Sequence, residues 1–167
     1  MAARPFAAIT DHVAVRVASI DRATEFYRRA FGARILTDPF PVDGALAEGI
    51  AGEPGARFTM RQIGFDRGVM ELVQLDGAGS TERIPASALN ILHIGVEVDD
   101  VPLAMDRVRA AGGRIVVPLT AWGPAQLCFC TDLDGVVLEL ADVPIEELLV
   151  HTRARSSSGR ADGSSIP

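Results

Sequence analysis

The chain contains no lysine, and this absence removes a whole class of chemistry. All 16 of its basic residues are arginine. Schiff-base and pyridoxal-dependent enzymes form a covalent bond with a lysine amine, so both are excluded. Histidine is also scarce, because only His12, His93 and His151 occur in the sequence. Any site that uses imidazole groups must draw on these three residues.

Other functional classes are excluded by what the sequence has little of. Cys128 and Cys130 lie two apart on one predicted strand, where they point the same way, so reduced thiols are expected. No apolar run reaches transmembrane length, and the first residues lack the apolar core of a secretory signal. A net charge of −6 without a basic cluster argues against nucleic acid. The glycine-rich stretches fit no nucleotide-binding fingerprint. We therefore expect a cytoplasmic protein with no nucleotide cofactor and no membrane or nucleic-acid partner.

An internal repeat dominates the sequence. The segment DHVAVRVASIDRATEFYRRAFGARIL, which starts at Asp11, aligns with LHIGVEVDDVPLAMDRVRAAGGRIV, which starts at Leu92, with no gap through the helical part. Each copy opens with an alternating strand, continues with an amphipathic helix that stops at glycine, and ends with three shorter strands. The pattern predicts an α+β fold built from two tandem βαβββ modules.

The module boundaries follow from this pattern. We expect a first module at 9–76, a linker at 77–89 and a second module at 90–141, with residues 142–167 forming a short helix and a tail. The short helix is expected at 142–150, and another around 45–50. From His151 onward the segment is rich in serine, glycine and arginine, which predicts disorder, so His151 is a poor ligand candidate.

Four residues recur at matched positions of the repeat. His12 and His93 each lie on the face of the first strand opposite its apolar residues, and Glu71 and Glu139 each alternate with apolar residues in the last strand. A buried ionised carboxylate is costly unless it is paired or bound to a metal. The pattern therefore predicts one divalent-metal site with these four ligands. Zn, Ni, Co, Mn and Fe(II) all suit such a donor set.

With these residues in place, the sequence resembles the vicinal-oxygen-chelate superfamily. The similarity covers residues 9–141, where DHVAV, FYRRAFGA, GVMELVQ, LHIGVEVDD and DLDGVVLEL occur in the expected order. The resemblance implies a U-shaped mixed sheet with the helices outside. It also implies that each module supplies two metal ligands, which match His12, Glu71, His93 and Glu139, and that the protein is a homodimer.

The resemblance also implies a type of reaction. The ligand pattern is closest to that of glyoxalase I and methylmalonyl-CoA epimerase, which move a proton next to a carbonyl. By this resemblance the protein is a metal-dependent isomerase, epimerase or lyase, with Glu139 or Glu71 as the general base. The alternatives are an Fe(II)-dependent dioxygenase, which the fourth ligand Glu71 disfavours, and a non-catalytic antibiotic-binding protein.

Candidate substrate-binding residues depend on the register of the middle strands. If Phe58 and Met60 face the helix, Thr59 and Arg61 line the cleft, as Gln126 and Cys128 do in the second copy, and Arg61 favours an anionic substrate. The turn around 64–68 permits other registers, and a slip of one residue reverses the faces. Solvated positions for Arg57 and Arg61 are an equal interpretation. Trp122, in the expected loop TAWGPAQ, either caps the cleft or anchors packing.

Overall fold

The chain forms two compact units, which divide between residues 81 and 82. The computed structural model describes residues 10–77 and 91–158. Each unit contains one mixed β-sheet with a helix packed against it, which confirms the predicted α+β class. Apart from Gly77, the predicted linker at 77–89 lies outside the described residues, as does the end of the predicted tail from residue 159.

The first unit has five strands and two helices. In chain order they are β1 His12–Arg16, α1 Ile20–Phe31, β2 Arg34–Ile35, β3 Phe40–Val42, α2 Gly44–Ala51, β4 Phe58–Gly64 and β5 Val69–Leu75. The strand order is β1-β5-β4-β2, and β3 also pairs with β4. β1 runs parallel to β5, while the other pairs are antiparallel. The short helix expected around 45–50 is confirmed as α2, whereas β3 was not anticipated.

Helix α1 is capped by Ser19 at its start, and it stops at a glycine as the sequence predicts. The Ser19 side chain accepts a hydrogen bond from the Arg22 N–H, and Gly32 adopts the left-handed conformation, with φ of 69°, that ends the helix. Gln74 on β5 accepts a hydrogen bond from the Ile20 N–H at 3.0 Å. The first turn of α1 is therefore tied directly to the sheet. The buried side of the helix consists of Ile20, Ala23, Thr24, Phe26, Tyr27 and Ala30.

The second unit repeats the same plan. Its elements are β6 Ile94–Glu97, α3 Val101–Ala110, β7 Arg114–Trp122, β8 Ala125–Thr131, β9 Val137–Ala141 and α4 Ile145–Ser158. The strand order is β6-β9-β8-β7, with β6 parallel to β9. Asp100 caps α3 by accepting a hydrogen bond from the Leu103 N–H at 2.8 Å.

Two elements of this unit are longer than the sequence suggested. β7 runs on to Trp122, so this residue ends a strand instead of lying in a loop, and Gly123 then turns the chain with φ of 60°. Helix α4 continues to Ser158, so the expectation of disorder from His151 onward is wrong as far as Ser158. No glycine or proline occurs between Ile145 and Ser158 to stop the helix.

Helix α4 packs on the second sheet. Leu148 on this helix, together with Val143, contacts a cluster formed by Ala125, Leu127 and Ala141 of β8 and β9. None of the helices in the described ranges is long and apolar enough to cross a membrane.

The packing of the core in the first unit can be tested by substitution. Leu72 is fully buried on β5, so we expect Leu72→Ala to lower the free energy of unfolding by about 2–5 kcal/mol, measured by urea denaturation. Leu46 on α2 is 65% exposed and is a matched control, since Leu46→Ala should change stability by less than about 0.5 kcal/mol. Equal losses in the two variants would contradict the packing.

Candidate metal centre

The first unit brings His12 and Glu71 together on one face of its sheet. β1 and β5 are parallel, and Ala14 lies directly opposite Glu71, with His12 two residues earlier on the same face. The Nε2 atom of His12 is 3.6 Å from Oε2 of Glu71. The carboxylate side chain is only 14% exposed and the imidazole 46%, so the pair is reachable from solvent through the histidine.

A second carboxylate orients the His12 ring. Its Nδ1 atom lies 3.3 Å from Oδ2 of Asp11. An imidazole that donates Nδ1–H to a carboxylate keeps the lone pair on Nε2, which is the nitrogen that faces Glu71. This arrangement is the one that a histidine ligand needs.

The second unit contains the equivalent pair. His93 Nε2 lies 2.8 Å from Glu139 Oε2, with side-chain exposures of 41% and 19%. Gly95 occupies the position opposite Glu139, and a Cβ atom built there would meet no described atom within 4 Å. Within each unit, one imidazole nitrogen and one carboxylate oxygen thus lie close together on one face of the sheet.

The residues opposite the two carboxylates differ. In the first unit Gln62 on β4 pairs with Glu71, and its Nε2 donates a hydrogen bond to Oε1 at 2.9 Å. In the second unit Phe129 on β8 pairs with Glu139, and its ring stands edge-on to His93 with 5.5 Å between ring centres. Sequence reasoning missed both residues, because the alternation in β4 and β8 does not reveal which residue lies opposite the glutamate.

The expected placement of Thr59 and Arg61 beside Glu71 is wrong. Arg61 lies opposite Leu72, on the face that packs against α1, and its Nη1 donates hydrogen bonds to Asp21 Oδ1 at 3.2 Å and Thr24 Oγ1 at 3.1 Å. Thr59 shares this face. The Arg61 side chain is only 12% exposed, and its Nε has no hydrogen-bond partner among the described residues. Arg61 therefore links the sheet to helix α1 by hydrogen bonds.

The faces expected for Gln126 and Cys128 are reversed in the same way. Cys128 lies opposite Leu140 and is fully buried, as is Cys130 two residues later, so both thiols face the α3 side of the sheet. Gln126 shares their face at the start of β8. Burial raises the pKa of the Cys128 thiol, and burial together with Cys128 and Asp132 raises the pKa of Cys130 to about 12. These thiols do not lie on the face of Glu139.

The chemistry of the two pairs fits a divalent metal. Among the residues that the structure describes, no group of three or more histidine, cysteine, aspartate or glutamate side chains is arranged to hold a metal ion. Each unit instead supplies two ligand types, imidazole and carboxylate, that Zn²⁺ and its first-row neighbours accept. The mostly buried carboxylates also need a positive partner, which a metal provides.

The sequence matches the Glyoxalase/Bleomycin resistance protein/Dioxygenase superfamily over residues 9–140. The chain therefore belongs to this superfamily, which confirms the vicinal-oxygen-chelate resemblance. The matched residues include His12, Glu71, His93 and Glu139.

Curated relatives include two kinds of enzyme. A lactoylglutathione lyase of Neisseria meningitidis is 28% identical over 132 residues, which is 77% of this chain and 86% of that protein. An ethylmalonyl-CoA/methylmalonyl-CoA epimerase of Cereibacter sphaeroides is 29% identical over 143 residues, which is 80% of this chain and 96% of that protein. The sequence is thus similar to both a lyase and an epimerase.

Solved structures support the fold. A glyoxalase family protein from Bacillus cereus superposes with a TM-score of 0.69 at 20% identity, covering 84% of this chain and 97% of its own. Glyoxalase I of Leishmania major gives a TM-score of 0.61 at 20% identity, covering 93% of this chain and 99% of its own. At this identity the likeness establishes the glyoxalase fold alone.

The burial of the thiols is open to a direct test. We expect iodoacetamide at pH 8 to leave Cys128 and Cys130 unmodified in the folded protein, because only the thiolate reacts and both thiol pKa values are raised. Peptide mass spectrometry before and after unfolding in urea measures this, with the unfolded protein as the control in which both react. Rapid modification of Cys128 in the folded state would place it at an accessible surface.

Proposed function

We propose that this protein is a divalent-metal-dependent enzyme that moves a proton at a carbon next to a carbonyl, as an isomerase, an epimerase or a glyoxalase-type lyase. The observation that carries the proposal is the repeated pairing of an imidazole with a mostly buried carboxylate, His12 with Glu71 and His93 with Glu139. A duplicated pair of this kind is unexpected unless both copies have the same function, which we propose is metal binding.

The proposed metal ligands are His12, Glu71, His93 and Glu139. These four residues would hold the metal through Nε2 of each histidine and one oxygen of each glutamate. A metal bound there would polarise a carbonyl oxygen and stabilise the negative charge that develops when the neighbouring C–H bond is broken.

The glutamates also have a role as bases. A carboxylate that faces the substrate accepts the proton from the carbon and returns it to the same or a neighbouring carbon, so Glu71 or Glu139 is the proposed general base. Delivery of a proton to the opposite face of the same carbon gives an epimerase, and delivery to the neighbouring carbon gives the isomerisation of a thiol adduct.

The substrate class follows from the relatives that the sequence resembles. Their names, lactoylglutathione lyase and ethylmalonyl-CoA/methylmalonyl-CoA epimerase, denote thiol-linked compounds with a carbonyl group. We propose a small substrate with adjacent oxygens, processed in the cytoplasm by a homodimer. The expectation of an anionic substrate depended on Arg61 and loses its support, because that side chain bonds to α1.

Metal content tests the proposal first. We expect protein purified without chelators or a histidine tag to contain about one Ni, Co, Zn or Mn per chain by elemental analysis. His12→Ala and His93→Ala should each lose most of it, because each removes one donor. His151→Ala is the matched control and should retain the metal.

Activity distinguishes the reaction. The metal-loaded protein should convert either hemithioacetals of 2-oxoaldehydes or epimers of 2-substituted acyl-CoA, and Glu71→Gln and Glu139→Gln should each lower kcat. Iron as the bound metal would favour a dioxygenase. Absence of metal after reconstitution, with tight binding of an antibiotic, would overturn the enzyme and favour a binding protein.

A further inference from the structure

We infer that Gln62 is a positioning residue that holds the Glu71 carboxylate in the orientation required for metal binding. The inference rests on the proposed function, in which Glu71 is a ligand. Neither the repeat nor the ligand pattern points to Gln62, which is identified by the contacts of β4 with β5.

The geometry leaves one arrangement for the amide. Gln62 lies directly opposite Glu71 in the antiparallel pair, and its Nε2 is 2.9 Å from Glu71 Oε1. A carboxylate only accepts hydrogen bonds, so the amide nitrogen and not its oxygen faces Oε1. With Oε1 engaged by Gln62, the other oxygen, Oε2, is the one turned toward Nε2 of His12.

This contact acts on a carboxylate with little access to water. The Glu71 side chain is only 14% exposed. If the Gln62 donor is lost, water therefore has little access to the carboxylate oxygen and cannot readily supply the missing hydrogen bond. A ligand whose rotamer is already fixed loses less conformational freedom when the metal binds. Partners of this kind typically change metal affinity by about 10–100-fold when they are removed.

The second unit provides the contrast. Phe129, which lies opposite Glu139, has no group to donate, and its ring contacts the imidazole of His93 instead. Among the described contacts, the Glu139 carboxylate is oriented by His93, 2.8 Å away, whereas the Glu71 carboxylate has Gln62 on one oxygen and His12 near the other. Glu71 is therefore the glutamate whose orientation a neighbouring amide side chain fixes.

The test compares two glutamine-to-methionine substitutions in the same sheet. Gln62→Met keeps nearly the same shape but removes the donor, and we expect it to weaken Co²⁺ binding by at least about tenfold in a chelator competition. The d–d absorption of bound Co²⁺ should change as well, because the ligand geometry is less constrained. Gln74→Met is the matched control: Gln74 caps α1 from the opposite face, so its loss should lower stability but leave Co²⁺ affinity and spectrum unchanged.

A measurement without metal tests the contact itself. In ¹⁵N-labelled metal-free protein, the side-chain amide protons of Gln62 should resonate downfield of those of exposed glutamines and should move upfield in Glu71→Leu, because their acceptor is lost. Amide protons unaffected by Glu71→Leu would overturn the inference.

The outcomes separate the two proposals. Wild-type protein that binds no Co²⁺ would overturn the proposed function, and this inference with it. Wild-type binding with the same affinity and spectrum in Gln62→Met would overturn the inference alone. A selective loss of affinity in Gln62→Met, absent from Gln74→Met, would support both.

Discussion

In each unit, parallel pairing of the first and last strands is the constraint on which the histidine–glutamate pair depends. In a parallel pair, residues at matched positions share a face, so the register that sets Ala14 opposite Glu71 also brings His12 to the same side. The imidazole then reaches the carboxylate diagonally across the two strands, past the residue that lies directly opposite the glutamate. Alanine in the first unit, and Gly95 in the second, leave that diagonal open. A bulky side chain at either position would separate the histidine from the carboxylate.

The sequence was sufficient for features in which a clear alternation or helical period leaves one interpretation. The shared faces of each histidine and glutamate, the two amphipathic helices and the repeated strand–helix–strand plan all follow from such local patterns. These patterns are reliable because the period of a strand or helix links neighbouring residues directly.

The register between the middle strands was not available from local patterns. In FTMRQIG, the apolar character of Phe58 and Met60 suggests that these two residues face the helix. Arg61 faces it instead, because its long side chain reaches Asp21 and Thr24 near the start of α1. In AQLCFCT both faces are apolar, so alternation carries no information at all. Only the hydrogen-bonded pairing with the last strand identifies Gln62 and Phe129 as the neighbours of the glutamates.

The two faces of these middle strands differ in what a substitution would disturb. Arg61 and Cys128 face the helix side and have little exposure, whereas Gln62 and Phe129 are partly exposed and occupy equivalent positions with unrelated chemistry. A substitution in the row beside the glutamates therefore changes the surroundings of a carboxylate and leaves the contacts of the interior in place, so the two units can differ in their chemistry while they share one core plan.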